Sequence, residues 1–540
     1  MQDLGPKRPP SASTCDVLVV GGGINGVAIA RQCALAGRRT VLVEQHDFAA
    51  GTTSRSTRII HGGLRYLEHG EIGLVRESLR ERERLLRERP HLVRPIHFLL
   101  AMNGNSSRSA LEIRVGLFLY RRFAGASRNG HGERRRFESL LDGARPWRLF
   151  SYEDAQCEFP ERLVAEWLGD AAAAGAVVRN HTQVLAVENL GGRVRRVLLR
   201  DVVNGTEEWV EANWLINATG PWADRFAEQC GIRTQERMIG GMRGSHIVLS
   251  NFTGAPRTAM YTEALDHRPI FFVPWNEQLL VGTTEVRDGG DPAKTHPSAQ
   301  EIDYLLRSVQ QTFPAAKITA GDIRYAFSGV RPLPYAPESD ASAVSRRHFL
   351  RNHADEGAAN VISVIGGKLT TAASLARQCA EAIGIRVAEP SHTWIPGPAD
   401  ADFDSLLGRF AGRIAAEGRI PEPSARGIVE WFGPHALAIA ELARNDERCR
   451  ATLCPHSAHI LAEAIHAFRG EAAVTLADVL LRRVPVALSA CWSDECSRAA
   501  ARRVGEVMQW PEPRVAAEHE RLEVERENFL MKHVAVGLRH

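Results

Sequence analysis

Six residues near the N-terminus have the types and the spacing to hold a dinucleotide. Gly21-Gly22-Gly23-Ile24-Asn25-Gly26 matches G-x-G-x-x-G. In that pattern the first glycine permits a tight turn, the second lets a pyrophosphate approach the backbone, and the third lets a helix pack closely on a strand. Further along, Glu44 supplies a carboxylate able to accept hydrogen bonds from a ribose 2'-OH. An acid at that place favours an adenosine ribose without a 2'-phosphate, hence FAD or NAD rather than NADP.

Such chemistry needs a particular frame, and the sequence around the glycines supplies it. Val17-Leu18-Val19-Val20 is a short, β-branched apolar run and is predicted to be a buried parallel strand. A helix should open at the glycine turn, its N-terminal amides and dipole facing the phosphates. Thr40-Val41-Leu42-Val43 is the second strand, and Glu44 stands at its end. Strand, turn, helix, strand and terminal acid in this order make a dinucleotide-binding fold the reading, not an isolated glycine turn.

At 540 residues the chain is too long for one core, and two or three domains are expected. Hydrophobic content of 44%, charged content of 24% and a net charge of +3 describe an ordinary globular protein and argue against a dedicated nucleic-acid binder. Nine scattered cysteines read as reduced thiols in a cytoplasmic chain. Residues 1–14 are polar and proline-bearing, read as a disordered tail without the apolar stretch of a signal peptide. No run approaches the ~18 apolar residues of a spanning helix, so any membrane contact must be peripheral.

After Glu44 come hydroxyl-rich Gly51-Thr52-Thr53-Ser54-Arg55-Ser56-Thr57 and then Arg58-Ile59-Ile60-His61-Gly62-Gly63-Leu64-Arg65-Tyr66-Leu67. This composition suits a loop lying against a cofactor and an anion. A charged helix is predicted from about 73 to 89, with Leu74, Leu79, Leu85 and Leu86 inward and its interleaved Arg and Glu forming a solvated face. Pro90 ends it. Residues 270–281 read as a hairpin, and Leu215-Ile216-Asn217-Ala218-Thr219-Gly220 as a strand running into a glycine turn. Pro396-Gly397-Pro398 marks a linker, and the pattern beyond it is helical.

The glycine motif and the stretch Ser56 to Leu67 resemble those of the FAD-dependent, aerobic-type glycerol-3-phosphate dehydrogenases, within the flavoprotein class similar to D-amino-acid oxidase. The likeness continues at Arg243-Gly244-Ser245-His246, Phe271-Phe272-Val273-Pro274-Trp275, Gly282-Thr283-Thr284-Glu285, Ser328-Gly329-Val330-Arg331-Pro332-Leu333, Gly366-Gly367-Lys368-Leu369-Thr370-Thr371 and Ala477-Asp478-Val479-Leu480-Leu481-Arg482-Arg483. The resemblance implies an α/β chain. A Rossmann-like FAD-binding domain would be assembled from residues 15–97, 150–235 and 322–392. An antiparallel-sheet substrate domain would be inserted as 98–149 and 236–321. A linker over 393–400 and a helical domain over 401–540 would follow.

It also implies the chemistry: oxidation of sn-glycerol 3-phosphate to dihydroxyacetone phosphate by hydride transfer to FAD, with a membrane quinone taking the electrons. The phosphate cradle would be Arg65, Arg331 and Lys368, with Tyr66 adding a hydroxyl and Arg331 and His246 acting on the reacting carbinol. Guanidinium forks suit phosphate bidentately, whereas a lysine acts as a point charge. The cofactor contacts would come from Gly21, Gly23, Ile24, Asn25, Gly26, Glu44, Thr52, Thr53, Ser54, His61, Gly62, Gly63, Val184, Thr219, Gly220, Gly367, Lys368, Leu369 and Thr370. Gly366 to Thr371 precede an alanine-rich helix, whose N-terminus would stabilise negative charge on the reduced ring. For the base, His246 is favoured because an imidazole titrates near neutrality. His61 competes, and an alkoxide held by cations with water as the proton acceptor is a third route.

No metal is expected. Cys449, Cys454, Cys491 and Cys496 lie near His456 and His459, yet the four-residue gaps sit at the edge of ligand spacing, and no EF-hand pattern is present. A peripheral place on the inner face of the cytoplasmic membrane and a homodimer fit the family, with Arg134-Arg135-Arg136-Phe137 and Trp147 as a candidate membrane patch. Residues 121–149 and the direct run from Phe159 into a helix depart from the family pattern, so one strand of the substrate sheet is expected to be short or missing. Three rivals stay open: an oxidase using oxygen, an amine or amino-acid oxidising flavoprotein, and a non-catalytic flavin-bearing scaffold.

Overall fold

The computed structural model describes residues 13–67, 70–103, 106, 108–124, 141–143, 146–264, 266–339, 344–386 and 403–531. The N-terminal strand-helix-strand forms as its sequence dictates. Strand β1 (Thr14–Val20) is followed by helix α1 (Ile24–Leu35) and strand β2 (Thr40–Val43), with Val17 to Val20 buried in the pairing with β2. Gly26 makes the close packing possible, because a Cβ there would stand 1.9 Å from the Gly21 carbonyl oxygen. Thr14 already pairs with Glu211, so the N-terminal tail ends before residue 14. The remainder of that tail and the expected linker 393–400 lie outside the described residues.

Two sheets build the rest. Next in chain order come β3 (Ile59–Ile60), helix α2 (Ile72–Glu88), β4 (Val93–Met102), helix α3 (Ala110–Ala124) and β5 (Arg148–Cys157). They are followed by β6 (Val177–Arg179), β7 (Thr182–Leu190), β8 (Arg193–Asp201), β9 (Glu207–Asn217), β10 (Met242–Leu249), β11 (Ala259–Glu263), β12 (Pro269–Trp275), β13 (Gln278–Gly282) and β14 (Val286–Arg287). The last are β15 (Ile323–Arg331), β16 (Phe349–His353) and β17 (Ala358–Ile365). The first sheet runs β16-β17-β9-β1-β2-β6, with the β7–β8 hairpin attached to β9 through β8. Its central strands are parallel, buried and rich in Val, Leu and Ile, as a sheet covered by helices requires.

The second sheet runs β14-β10-β13-β12-β11-β4-β5-β3, with β15 on β10. Its pairings are antiparallel except for β4 with β11. Asn276 and Glu277, both at positive φ, turn the β12–β13 hairpin. The strand expected to be short or missing is present in full: β5 pairs with β4 from Cys157 to Arg148.

Sheet membership moves the expected boundaries. β3 lies inside the first FAD segment yet pairs in the second sheet, and β4 crosses the limit at 97. β5 carries the second sheet past 149, and β15 carries it past 322, so the first sheet resumes only with β16.

Six helices of eight or more residues, from Phe403–Gly418 to Glu512–Phe529, form the C-terminal region. They share one hydrophobic core with the second sheet, where Phe159 packs on Trp431 at 5.0 Å and on Trp275 at 6.3 Å. The helix Pro160–Ala173 can start two residues after β5 because its buried charges meet partners on three sides. Fully buried Arg58 forks onto Glu161 at 3.0 Å for both bonds, Arg162 forks onto Glu471 at 2.7 and 2.9 Å, and Glu166 meets His91 at 2.5 Å.

Most of the charged face of α2 is exposed or half-exposed as expected, with Arg76, Arg80 and Arg87 in solvent, but two of its charges turn inward. Glu81 and Arg82 pair with Arg377 and Asp154 rather than with water.

Candidate active site

A cavity of about 1100 Å³ lies between the two sheets and is closed on one side by the C-terminal helices. That exceeds the ~300–1,000 Å³ of ordinary small-molecule pockets. Gly21, Gly23, Ile24, Asn25, Glu44, Thr52, Thr53, Ser54, His61, Tyr66, Val184, Thr219 and Gly220 line it, together with His246, Arg331, Gly367, Lys368, Leu369 and Thr370. Three expected cofactor residues do not. Gly26 packs behind the turn, Gly62 is wedged against Tyr120 and Leu79, and Gly63 lies under the Tyr66 ring. Arg65 sits in the short helix Leu64–Leu67, and its side chain lies outside the described residues.

The glycine-motif end fits a dinucleotide. Around Gly23 a Cβ would meet only the Thr53 hydroxyl, at 3.4 Å, so the backbone is open to a phosphate. Glu44 accepts from the Gly22 amide at 2.7 Å and from the His46 amide at 2.9 Å, which fixes its carboxylate and leaves lone pairs toward the cavity. The buried Asn25 Oδ1 has no protein partner. The hydroxyls expected to face a cofactor chiefly brace the loop: Thr53 accepts from the Ile24 amide at 3.1 Å, Thr52 donates to Val330 O at 2.8 Å, and Ser54 to Ala49 O at 2.7 Å. Thr371 precedes the helix Ala372–Ala382 with its buried hydroxyl unpartnered, and Asn25 Nδ2 donates to Gly366 O at 3.3 Å, which joins the two helix N-termini.

At the other end the groups are cationic and imidazole. Arg331 donates to Thr283 Oγ1 at 2.8 Å, and its guanidinium lies where a Gly244 Cβ would be, 2.2 Å from Nη2. Lys368 Nζ donates to Ser78 Oγ at 3.1 Å and stands 4.4 Å from the Tyr66 ring centroid. Among the described residues no carboxylate pairs with it. Burial pushes its ammonium down to about 7, with Arg346 adding to the shift against the pull of Glu77 and Glu71.

His246 is buried, stacked on Phe327 at 5.0 Å, and its Nε2 lies 2.9 Å from Thr57 Oγ1 while Nδ1 has no partner. Burial, then Arg331 and Arg58, push this imidazole down to about 3. His61 is pushed to about 3 by burial, Lys368 and Arg82. Both rings are therefore neutral at physiological pH, and the near-neutral titration expected of His246 is not met, because burial and the neighbouring cations oppose its protonation.

Sequence reasoning missed the wall supplied by the C-terminal region. Asp47, three residues past the nucleotide acid, takes both nitrogens of Arg483 at 2.7 and 2.8 Å and also bonds Arg482. Asp478 binds His181 at 3.0 Å and Arg482 at 3.2 Å. Asp47, His181 and Asp478 are close enough to ligate a cation. Two guanidiniums already neutralise the two carboxylates, so the cluster acts as an ion-pair lock between the nucleotide strand and the helical region. Asp47→Asn is expected to lower stability by about 3 kcal/mol, read as a reduced urea midpoint for the FAD-loaded protein.

The nine cysteines are all free. Cys496 Sγ lies 3.5 Å from His456 Nδ1, whereas His459 stacks on Trp431 and bonds Glu463. The Arg134 to Phe137 patch falls outside the described residues. Trp147 donates to Asp142 O at 2.9 Å and packs, half-buried, on the second sheet's core.

Residues 16–382 match the family described as FAD dependent oxidoreductase, and residues 362–515 match the C-terminal domain of alpha-glycerophosphate oxidase. A glycerol-3-phosphate dehydrogenase of Synechocystis sp. is 37% identical over 502 residues, covering 88% of this chain and 89% of the relative. A D-erythritol 1-phosphate dehydrogenase of Brucella abortus is 36% identical over 373 residues, covering 68% and 72%. The solved glycerol-3-phosphate dehydrogenase from Bacillus halodurans, complexed with FAD, shares the fold with a TM-score of 0.74 at 24% identity, over 98% of this chain and 96% of that one. The chain belongs to the FAD-dependent oxidoreductases, in their glycerol-3-phosphate dehydrogenase branch.

Proposed function

We propose that the protein oxidises sn-glycerol 3-phosphate to dihydroxyacetone phosphate and passes the electrons to a membrane quinone. The observation that carries the substrate reading is Lys368. It is a half-buried ammonium with no paired carboxylate among the described residues, in the same cavity as the Arg331 guanidinium. The ammonium calls for an anion from outside the chain, and a phosphate ester can meet both this point charge and the neighbouring guanidinium fork.

Bound FAD supplies the hydride acceptor. The chain does the rest. Arg331 and Lys368 hold the phosphate, joined by Arg65 from its short helix, and Tyr66 flanks Lys368. With Nε2–H donating to Thr57, His246 offers Nδ1 as the acceptor of the carbinol proton.

Turnover with an artificial electron acceptor tests the substrate. Glycerol 3-phosphate should support it and glycerol and D-alanine should not, while faster turnover of erythritol 1-phosphate would move the assignment to a longer polyol phosphate. Peroxide formed in step with turnover would replace the quinone by oxygen.

The pH dependence follows from Lys368. Its pKa lies below the ordinary lysine value, so the ammonium is intact below about pH 7 and lost above it. A bound phosphate needs that charge. KM should therefore climb as pH rises from about 7 to 9, by at most about tenfold per unit, and Lys368→Met should raise KM and flatten the slope.

The membrane reading rests on α3. Leu111, Val115, Phe118 and Leu119 form a stripe on one face, with Phe118 69% and Leu111 71% exposed, while Ile113, Leu117 and Tyr120 fill the opposite face. Exposed Arg114, Arg121 and Arg122 flank the stripe. Apolar side chains edged by arginines suit the headgroup region of an anionic bilayer. Among the described residues no helix is long and apolar enough to cross one.

A further inference from the structure

The loop that brings His61 and Tyr66 to the cavity is held on both of its sides. The amide of His61 donates to Thr370 Oγ1 at 3.2 Å. The next amide, that of Gly62, points the other way and donates to the Tyr120 hydroxyl at 2.8 Å. Tyr120 is buried, and its hydroxyl donates in turn to Asp154, 2.7 Å from Oδ1 and 2.8 Å from Oδ2. Arg82 Nη1 closes the chain on Asp154 Oδ1 at 2.8 Å. Three elements thus meet at one backbone amide: α2 through Arg82, α3 through Tyr120 and β5 through Asp154.

The direction of these bonds is forced. A phenol has one proton, and an ionised carboxylate can only accept, so the Tyr120 hydroxyl must donate to Asp154 and turn a lone pair to Gly62. There is no slack on the loop side either, since a Cβ at Gly62 would stand 2.6 Å from the Tyr120 oxygen and 2.7 Å from Leu79. Burial raises the Asp154 carboxyl to about 6, opposed by Arg82, Tyr120 and the Gly62 amide. It is ionised above that pH. The other group facing it is Tyr152, on its own strand, whose ring meets Tyr120 edge-on at 5.8 Å.

We infer that Tyr120, oriented by Asp154 and Arg82, is a positioning residue that sets how far the His61–Tyr66 loop reaches into the cavity. His61 and Tyr66 are then placed against the substrate by a hydroxyl on a helix that never touches it. The inference rests on the glycerol-phosphate reading for its kinetic consequence, but not for its structural one.

Tyr120→Phe keeps the ring and removes only the hydroxyl, and Tyr152→Phe removes a hydroxyl from the same core without touching Gly62. In the FAD-loaded protein, amide hydrogen exchange of the segment 59–67 should speed by about tenfold or more in Tyr120→Phe and stay at the wild-type rate in Tyr152→Phe. Anaerobic bleaching of the flavin by saturating glycerol 3-phosphate should slow by about tenfold in Tyr120→Phe alone, with flavin content unchanged. Unchanged exchange in Tyr120→Phe, or equal changes in both variants, would overturn the inference. If the wild-type flavin were not bleached at all, the substrate reading would fail, and the exchange comparison would still decide the role of Tyr120.

Discussion

Replacing Arg331 by methionine is expected to cut kcat/KM for glycerol 3-phosphate by about 10²–10³, while the protein still binds FAD. The side chain leaves the end of β15 beside β10, where Met242 pairs with Arg331 and Gly244 clears the space for the guanidinium. Its Nη2 bond to Thr283 aims the fork. Removing one member of a desolvated charge pair costs about 2–5 kcal/mol, which sets the size of the effect. Arg331→Lys should recover part of it but not all, because a lysine cannot replace two parallel bonds to phosphate. Steady-state kinetics with an artificial acceptor would read both variants. A methionine variant within threefold of wild type would remove Arg331 from the cradle.

Replacing His246 by asparagine is expected to slow the reductive step by about 10²–10⁴, the span of general-base catalysis, again with FAD bound. Asparagine is too short to keep the Nε2 bond to Thr57 but fills part of the ring's place on Phe327, so the flavin content of the variant is read alongside its rate. The pH profile separates the mechanism from its rival. Because burial, Arg331 and Arg58 hold the His246 imidazole near 3, it is already neutral throughout the range of stable protein, and no limb near the ordinary histidine value should appear. His61 is just as neutral, so the paired variant His61→Asn is the deciding one. A large loss in His61→Asn with little in His246→Asn would transfer the base to His61.

The N-terminal strand-helix-strand, the β12–β13 hairpin and the helical C-terminal region were readable because each is written in local periodicity and turn residues. The glycine turn was readable from its spacing, although only Gly26, against Gly21, answers to a local contact, while Gly21 answers to Ala218 and Gly23 to Thr53. Long-range pairing has no such local mark. Nothing in Val93–Met102 or Ala259–Glu263 tells that these strands, some 160 residues apart, run parallel to each other. Nor does Ile323–Arg331 show that it closes the second sheet rather than resuming the first.

The buried charges misled for a physical reason as well. Glu81 and Arg82 on α2 have the alternation of a solvated face, and only the approach of Arg377 and Asp154 turns them inward. Asp47 and Arg483 lie more than 400 positions apart, so their ion pair could be found only in three dimensions. At the site itself the residue types pointed to phosphate and dinucleotide chemistry. What they could not show was the second tier: Thr57 under His246, Ser78 under Lys368 and Tyr120 behind Gly62.

The most direct test is to add glycerol 3-phosphate to the oxidised, FAD-loaded protein without oxygen and follow the visible absorbance of the flavin. The site described here should give rapid and complete bleaching with the phosphate ester and none with glycerol at the same concentration. A flavin that stayed yellow with glycerol 3-phosphate, or that bleached equally with glycerol, would contradict a phosphate-ester site built on Arg331 and Lys368.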